Sequence, residues 1–307
     1  MSSHHIPVLL NESTELLITN KAGIYFEGTL GFGGHSKEIL KRLSKDGVLI
    51  STDVDSRAFD YCKKLFENEK RIRLYNFNFS LIDVIAKIES IEFFDGVIAD
   101  LGVSSYQLNN ASAGFSYSTD APLDLRMDKN LNITAADVVN TFDEDKLSKI
   151  IFEFGEEKNS RKIAKQIVKA RKIKPIEKTS ELRKVILEIT SPRYQVKTLS
   201  RVFQALRIHV NNELEILKQF LSNSLKVLRS KGRLVLISYH SLEDRIVKEF
   251  FKYEELSCIC PKDIPVCSCG KKAQLKILTR KPISPSADEI SANRRARSGK
   301  LRVAEKL

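Results

Sequence analysis

The 307-residue sequence contains no apolar run that approaches the ~20 residues needed to span a bilayer. The first seven residues, MSSHHIP, lack the basic stretch and the apolar segment of a secretory signal peptide. We therefore expect a cytoplasmic protein with no membrane partner. The five cysteines are then expected to be reduced, as thiols or metal ligands, before disulfides are considered.

Tryptophan is also absent, but 16 Phe and 8 Tyr supply aromatic bulk for a core. Hydrophobic residues make up 42% and charged residues 29% of the chain, a balance that argues against global disorder. No internal repeat or low-complexity tract is visible. The length predicts one large domain or two ordinary ones.

The positive charge is concentrated in two segments. The net charge is +12, yet residues 158–210 alone hold 15 Lys and Arg against three acids, and residues 270–307 hold 11 against three. The remainder is therefore net acidic. Basic segments favour polyanions through release of counterions, although net charge can also serve solubility alone. This distribution favours a nucleic-acid partner.

Residues 23–101 alternate short apolar runs with helical patterns, which predicts βαβ units and a parallel sheet. The predicted strands are 24–27, 48–53, a third beginning at 72, and 96–100, and the helices are 36–43, 55–68 and 81–88. Asp55 and Ser80 are the expected N-caps of the last two helices.

This pattern stops after residue 101. Residues 102–130 are predicted to form a long loop, and residues 134–192 show only helical periodicity. A long helix over 199–228, a strand over 233–239 and a helix over 242–251 follow. The sequence therefore predicts an α/β, Rossmann-like core from 1–107 and 213–307, interrupted by an inserted loop and helical domain at 108–212.

A glycine-rich turn, EGTLGFGGH at 27–35, lies between the first strand and the first helix. Glycines allow the backbone to approach a ligand closely, and the helix N-terminus offers free N–H groups. The spacing departs from G-x-G-x-x-G because Ser36 occupies the third glycine position. Asp53, 20 residues beyond Gly33, can accept hydrogen bonds from ribose hydroxyls. The alternative is a turn that only packs a helix against a strand.

Polar residues also follow two later strands. Asp100 ends the fourth strand, at the edge where open α/β sheets bind ligands, although Asp also commonly caps helices and loops. The segment SYHSLEDR at 238–245 ends a strand and opens a helix. We take Asp100, His240 and Ser241 as candidate catalytic residues, and expect Ser241 to cap the helix while His240 and Arg245 face the substrate. A hydrolytic triad is disfavoured because no G-x-S-x-G elbow is present.

The sequence resembles a known family nearly from end to end, the bacterial ribosomal RNA small subunit methyltransferase H family. The resemblance is carried by HIPVLLNE (5–12), GTLGFGGHS (28–36), DLGVSS (100–105), GFS (114–116), PLDLRMD (122–128), RVFQALRI (201–208), SYHSLEDR (238–245) and RARSGKLR (295–302).

The resemblance implies a class I methyltransferase core with a helical insertion, and N4-methylation of a specific cytidine in 16S ribosomal RNA with S-adenosylmethionine. The implied cofactor-binding residues are Gly33, Gly34, His35, Asp53, Phe79, Asp100 and Gln107. Catalysis is expected to need no metal. The expected substrate is the small-subunit RNA or the assembled small ribosomal subunit, and a homodimer is a further expectation.

The expected chemistry gives Asp100 the role of accepting a hydrogen bond from the cytosine amine. The target base must leave any stack, so we expect unstacked RNA. Phe115 and Tyr117 either stack on that base or pin the loop to the core. Two other functions remain open: methylation of DNA or protein, and a non-catalytic role as an RNA-binding or ribosome-assembly factor.

Four cysteines form a C-x-C pair, a six-residue spacer and a second C-x-C pair, at Cys258, Cys260, Cys267 and Cys269. Four thiolates can hold a structural zinc ion, although the usual spacing is C-x-x-C. A metal-free loop and redox chemistry are the alternatives. Cys62 is expected in the core of a helix.

Overall fold

A computed structural model describes residues 7–102, 114–261 and 266–307. The chain divides into two compact units, Met1–Gly102 with Leu214–Leu307, and Val103–Glu213. Within the described part of the chain, no helix combines the length and the apolar character that crossing a membrane requires.

The first unit is built on a sheet of seven described strands in the order β3-β2-β1-β4-β5-β7-β6. The strands are β1 (Ile24–Glu27), β2 (Val48–Thr52), β3 (Ile72–Tyr75), β4 (Phe94–Asp100), β5 (Leu228–Ser238), β6 (Leu275–Ile277) and β7 (Lys300–Lys306). The first five pair in parallel, and β7 pairs antiparallel with both β5 and β6. The predicted Rossmann-like α/β core is confirmed.

Helices connect these strands. They are α1 (Leu10–Leu17), α2 (Gly34–Arg42), α3 (Ser56–Leu65), α4 (Ile82–Ile88), α10 (Glu213–Val227), α11 (Ser241–Glu255) and α12 (Ala287–Ala292). Asp55 caps α3 as predicted, because its carboxylate accepts the backbone N–H of Arg57 at 3.0 Å. The predicted cap at Ser80 is wrong. Asn78 accepts the backbone N–H of Ser80 at 3.0 Å and begins a 3-10 turn that leads into α4.

Successive residues of the central strands enter two different cores. Phe26 and Val97 belong to one cluster, whereas Tyr25 and Ile98 belong to the other. Side chains of a strand alternate between the faces of its sheet, so the clusters lie on opposite faces. Burial on both faces explains why these strands read as nearly continuous apolar runs.

The second unit is helical in its described part, as the periodicity predicts. Its helices are α5 (Ala135–Thr141), α6 (Glu144–Gly155), α7 (Ser160–Arg171), α8 (Thr179–Leu187) and α9 (Gln195–Asn211). They share a separate apolar core that includes Val138, Ile151 and Ile167. Thr134 and Asp137 form a capping box at the start of α5.

The predicted single helix over 199–228 is wrong. Asn212, at φ 51°, separates α9 from α10. Asparagine enters the left-handed region at lower cost than most residues, so one residue suffices to end a helix without interrupting the apolar pattern. Four further elements were not predicted, because they are short segments with weak periodicity: α1, α12, β6 and β7.

Candidate active site

The glycine-rich turn after β1 has two different kinds of glycine. Gly31, at φ 49°, faces open space with respect to the described residues, since none of them lies within 4 Å of a Cβ placed there. Gly33, at φ 77°, precedes α2, and a Cβ on it would lie 2.8 Å from the ring of Phe66. A Cβ on Gly34 would clash with the ring of Pro7. Packing therefore explains Gly33 and Gly34, whereas Gly31 leaves room for a ligand.

Asp53 is tied directly to this turn. It follows β2, and its Oδ2 accepts the backbone N–H of Gly31 at 2.7 Å. Its Oδ1 accepts the backbone N–H of Asp55 at 2.9 Å. Burial raises the pKa of Asp53 to about 6, against the opposing effect of these backbone donors. Asp53 is therefore a fixed, acidic acceptor beside the open side of the turn.

Glu27, which the sequence analysis does not single out, is the buried acid at the end of β1. Its Oε2 accepts hydrogen bonds from Ser36 and, at 2.7 Å, from Ser51. Its Oε1 is buried and has no hydrogen-bond partner among the described residues. Burial raises the pKa of Glu27 to about 7, with smaller contributions from the charges of Asp53 and Asp100. The sequence feature that could have identified Glu27 is the position of this acid directly before the glycine-rich turn.

Asp100 ends β4 and is held by three contacts. Its backbone N–H donates to Thr29 Oγ1 at 2.7 Å, and its Oδ1 accepts the backbone N–H of Gly102 at 3.2 Å. The phenol of Tyr239 donates to its carboxylate. Burial raises the pKa of Asp100 to about 6, while the Gly102 and Tyr239 donors oppose that increase. Tyr239 is the second site residue that the sequence analysis missed.

The other predicted cofactor-binding residues take different positions. Phe79 packs over Gly28, where an added Cβ would lie 2.9 Å from the Phe79 Cβ, and its ring meets Phe220 edge-on at 4.8 Å. His35 is buried in the first turn of α2. Gln107 lies outside the described residues. The geometry thus brings together the turn, Asp53, Phe79 and Asp100.

The prediction that Ser241 caps α11 is wrong. His240 is the N-cap: its Nδ1 accepts the backbone N–H of Glu243 at 3.4 Å, and the Glu243 carboxylate accepts the backbone N–H of His240. His240 Nε2 lies 3.1 Å from Glu243 Oε1. Ser241 is the first helical residue. His240 and Ser241, two of the three candidate catalytic residues, therefore lie at the start of α11, and His240 caps the helix.

Phe115 and Tyr117 take the second of their two predicted roles. Phe115 belongs to the core of the helical unit, and Tyr117 packs edge-on against Phe203 with ring centroids 5.8 Å apart. Rings held in this way pin the loop to the core and leave little face for a base.

The basic segments differ in how many of their cations remain available. Among the described residues, ten exposed cations in 158–210 make no ion pair: Lys158, Arg161, Lys162, Lys165, Lys169, Lys172, Arg183, Lys184, Arg193 and Lys197. Several cations of 270–307 are engaged within the first unit. Lys300 and Arg302 pair with Asp244, and Lys271 pairs with Glu254. The helical unit therefore offers the larger free positive surface.

The site lies where the strand order reverses. The glycine turn, Asp53 and Asp100 follow the adjacent parallel strands β1, β2 and β4, and the sheet continues in opposite directions from β1 and β4. Ligands of open α/β sheets bind at such a switch point. A glycine-lined opening bordered by acids suits a ligand with hydroxyl groups and positive charge.

Comparison with known proteins identifies the family of the chain. A model of the MraW methylase family matches residues 2–307. Proteins named ribosomal RNA small subunit methyltransferase H are 52% identical in Caldicellulosiruptor saccharolyticus, over 99% of both chains, and 48% identical in Fusobacterium nucleatum, over 100% of this chain and 98% of that one. The solved structure of an rRNA methylase from Streptococcus thermophilus aligns with 11% sequence identity and a TM-score of 0.42. The alignment covers 97% of this chain and 93% of that one. The chain belongs to the MraW methylase family, and it is an S-adenosylmethionine-dependent methyltransferase.

Proposed function

We propose that this enzyme methylates the exocyclic N4 amine of one cytidine in small-subunit ribosomal RNA. The observation that carries the proposal is the position of Glu27, Asp53 and Asp100 at the ends of the adjacent strands β1, β2 and β4, around the glycine-rich turn at the switch point. The names of the relatives support ribosomal RNA of the small subunit as the substrate. The cytoplasm is the compartment in which we expect this reaction.

The residues of the site fit S-adenosylmethionine. No described residue fills the space beside Gly31, and Glu27 Oε1 is a buried acceptor without a described partner. Asp53 uses two of its roughly four acceptor positions on backbone N–H groups, which leaves capacity for ribose hydroxyls. When bound, this cofactor supplies an electrophilic methyl group on a sulfonium cation. A cation also relieves the mutual repulsion of three acids.

Asp100 would act on the amine of the target base. The lone pair of a cytosine amine is delocalised into the ring, and an acceptor on its hydrogens favours the pyramidal form that frees the lone pair. With a pKa of about 6, Asp100 is mainly ionised near neutral pH and can accept this bond. Tyr239 orients the carboxylate, and positioning of this kind supplies much of an enzymatic rate.

The helical unit would hold the RNA backbone. Its ten free cations can neutralise phosphates, and binding driven by counterion release weakens steeply as salt rises. Because a base within a stack is held between its neighbours and away from a site at the edge of the sheet, we propose an unstacked target. The C-terminal segment contributes fewer contacts, since Lys300 and Arg302 are already paired with Asp244.

Mapping of RNA modifications tests this proposal. Small-subunit RNA from cells with and without the gene is digested and analysed by mass spectrometry, and one cytidine should lose one methyl group in the deletion. Purified enzyme should restore that methyl group on small-subunit RNA or on the assembled subunit. An unchanged map, or a methyl group lost only from large-subunit RNA, would contradict the proposal. The expected homodimer stays a prediction, which light scattering during gel filtration would decide.

A further inference from the structure

The two C-x-C pairs meet in the connection between α11 and β6, outside the candidate active site. Sγ–Sγ distances are 3.4 Å for Cys258 and Cys267, 3.8 Å for Cys258 and Cys269, 3.9 Å for Cys260 and Cys267, and 3.6 Å for Cys267 and Cys269. All four sulfur atoms lie within 4.8 Å of one another. The sequence spacing alone left open whether the pairs meet, and the fold brings them together.

These distances are those of a tetrahedron around a metal ion. A Zn–S bond of about 2.3 Å places the sulfur atoms of a tetrathiolate site about 3.8 Å apart. The four cysteines are unbridged. We propose that Cys258, Cys260, Cys267 and Cys269 bind one structural zinc ion. Four thiolates select zinc or iron over harder cations, and zinc is the commoner occupant of closed structural sites of this composition.

Apolar packing does not account for this cluster. Between Glu255 and Leu275, no described residue is buried, and none belongs to a helix or strand. Four sulfur atoms nevertheless converge in a loop without a core of its own. Small units that cannot bury enough apolar surface commonly depend on a metal or on disulfides. A zinc ion supplies that missing stabilisation.

The backbone near the cluster also suits thiolate ligands. The N–H of Ile259 donates to Cys269 Sγ, and the N–H of Cys260 donates to Cys258 Sγ, both at 3.4 Å. Gly270, at φ 63°, directly follows the last cysteine and turns the chain away from it. Such N–H donors partly compensate the negative charge that thiolates bring to a metal centre.

The base of the loop is closed independently of the cysteines. Glu254 accepts hydrogen bonds from Lys271 Nζ at 2.6 Å and from Gln274 Nε2 at 3.0 Å, and its carbonyl accepts the backbone N–H of Gln274 at 2.8 Å. The ion would therefore fix the tip of a loop whose ends are already joined. Its loss should loosen this connection while the sheet and the active site remain folded.

Metal analysis of full-length protein, purified without chelator or a metal-affinity column, tests the proposal. About one zinc ion per chain is expected, with a mercurial reagent releasing it as four thiols react. Replacement by Co²⁺ should give the intense visible bands of a tetrahedral thiolate site. The double variant Cys258→Ser/Cys269→Ser should lose the metal, and the matched control Ser257→Ala/Ser268→Ala should keep it.

A second readout follows the loop itself. Trypsin should cut after Lys271 or Lys272 faster in the double variant than in the control, while cofactor binding stays within about twofold because the loop lies outside the active site. Metal analysis and mercurial titration of the wild-type protein test the proposal even if the double variant is insoluble. Far less than one zinc per chain with four freely reactive thiols would overturn the proposal. Bound iron with a coloured thiolate spectrum would overturn the assignment to zinc.

Discussion

Tyr239, the residue directly after β5, donates its phenolic hydrogen to the carboxylate of Asp100 at the end of β4. The two strands are parallel neighbours, and Asp100 lies opposite Ile237 in their register. Gly102 allows the Tyr239 ring to pack this closely, because a Cβ at position 102 would lie 2.6 Å from the ring. Tyr239 thus orients Asp100, the candidate acceptor of the target amine. The Tyr239 ring cannot move toward Gly102, because it already packs closely against that residue.

Replacing Asp100 by Asn should abolish most turnover while cofactor binding persists. The amide retains the size of the carboxylate but carries no charge, and removing one preorganised electrostatic contact costs about 100- to 1,000-fold in rate. Single-turnover rates on small-subunit RNA and calorimetry with S-adenosylmethionine separate the two effects. Turnover at the wild-type rate would remove Asp100 from the mechanism.

The rate should also depend on pH through Asp100. Because its pKa is about 6 and the ionised form is the acceptor, kcat/KM should rise as pH increases through this value. The Tyr239 hydrogen bond lowers the pKa of Asp100, so Tyr239→Phe should move the rising limb to higher pH. A variant that is slower at every pH, with an unmoved limb, would show that Tyr239 acts only in packing.

Glu27 should make the ligand-free protein less stable as pH rises. The pKa of Glu27 is about 7 in the folded protein and 4.5 for an ordinary, solvent-exposed Glu, so the folded state holds the proton more tightly. This stabilisation is complete below pH 4.5 and is lost as pH increases through about 7, and it amounts to about 3 kcal/mol. Denaturant unfolding of Glu27→Gln should show a smaller decline over this range than wild type. Equal declines would exclude Glu27 as its source.

A catalytic role of His240 can be separated from its role as the N-cap of α11. His240→Asn keeps a good N-cap but removes the imidazole. If His240 only caps the helix, turnover and melting temperature should both be retained, whereas a catalytic His240 predicts lost turnover at unchanged stability. We expect lost turnover, as proposed from the sequence. Ser241→Ala tests the neighbouring candidate and should lose turnover without unfolding, because Ser241 is not the N-cap.

Lysines of the helical unit should account for the salt dependence of RNA binding. Lys165→Ala/Lys169→Ala removes two free cations from α7, which should weaken RNA binding and reduce the slope of log Kd against log salt by about 2. Lys63→Ala/Lys64→Ala removes two exposed lysines from α3 as a control. Fluorescence anisotropy with a small-subunit RNA fragment measures both, and equal losses in the two variants would argue against a localised RNA surface.

The sequence predicted the sheet better than the details of the site. Short, nearly continuous apolar runs indicate strands buried on both faces, and the helical patterns between them predict their parallel order. The hydrogen bond between Tyr239 and Asp100 joins residues far apart in the chain, so no local pattern shows it. His240 was missed as a cap because serine is the more usual residue there. The paired cations of the C-terminal segment were equally hidden, since charge counts carry no information about partners.

The position of β7 has a consequence for synthesis of the protein. β7 lies between β5 and β6 but follows both in the chain, and it is their common hydrogen-bonding neighbour. While a ribosome is still translating the segment before residue 300, β6 has no strand to pair with, and one flank of β5 is open. The sheet is therefore completed only when β7 inserts between β5 and β6. Until then, the nascent chain exposes unpaired strand edges and should be prone to aggregation.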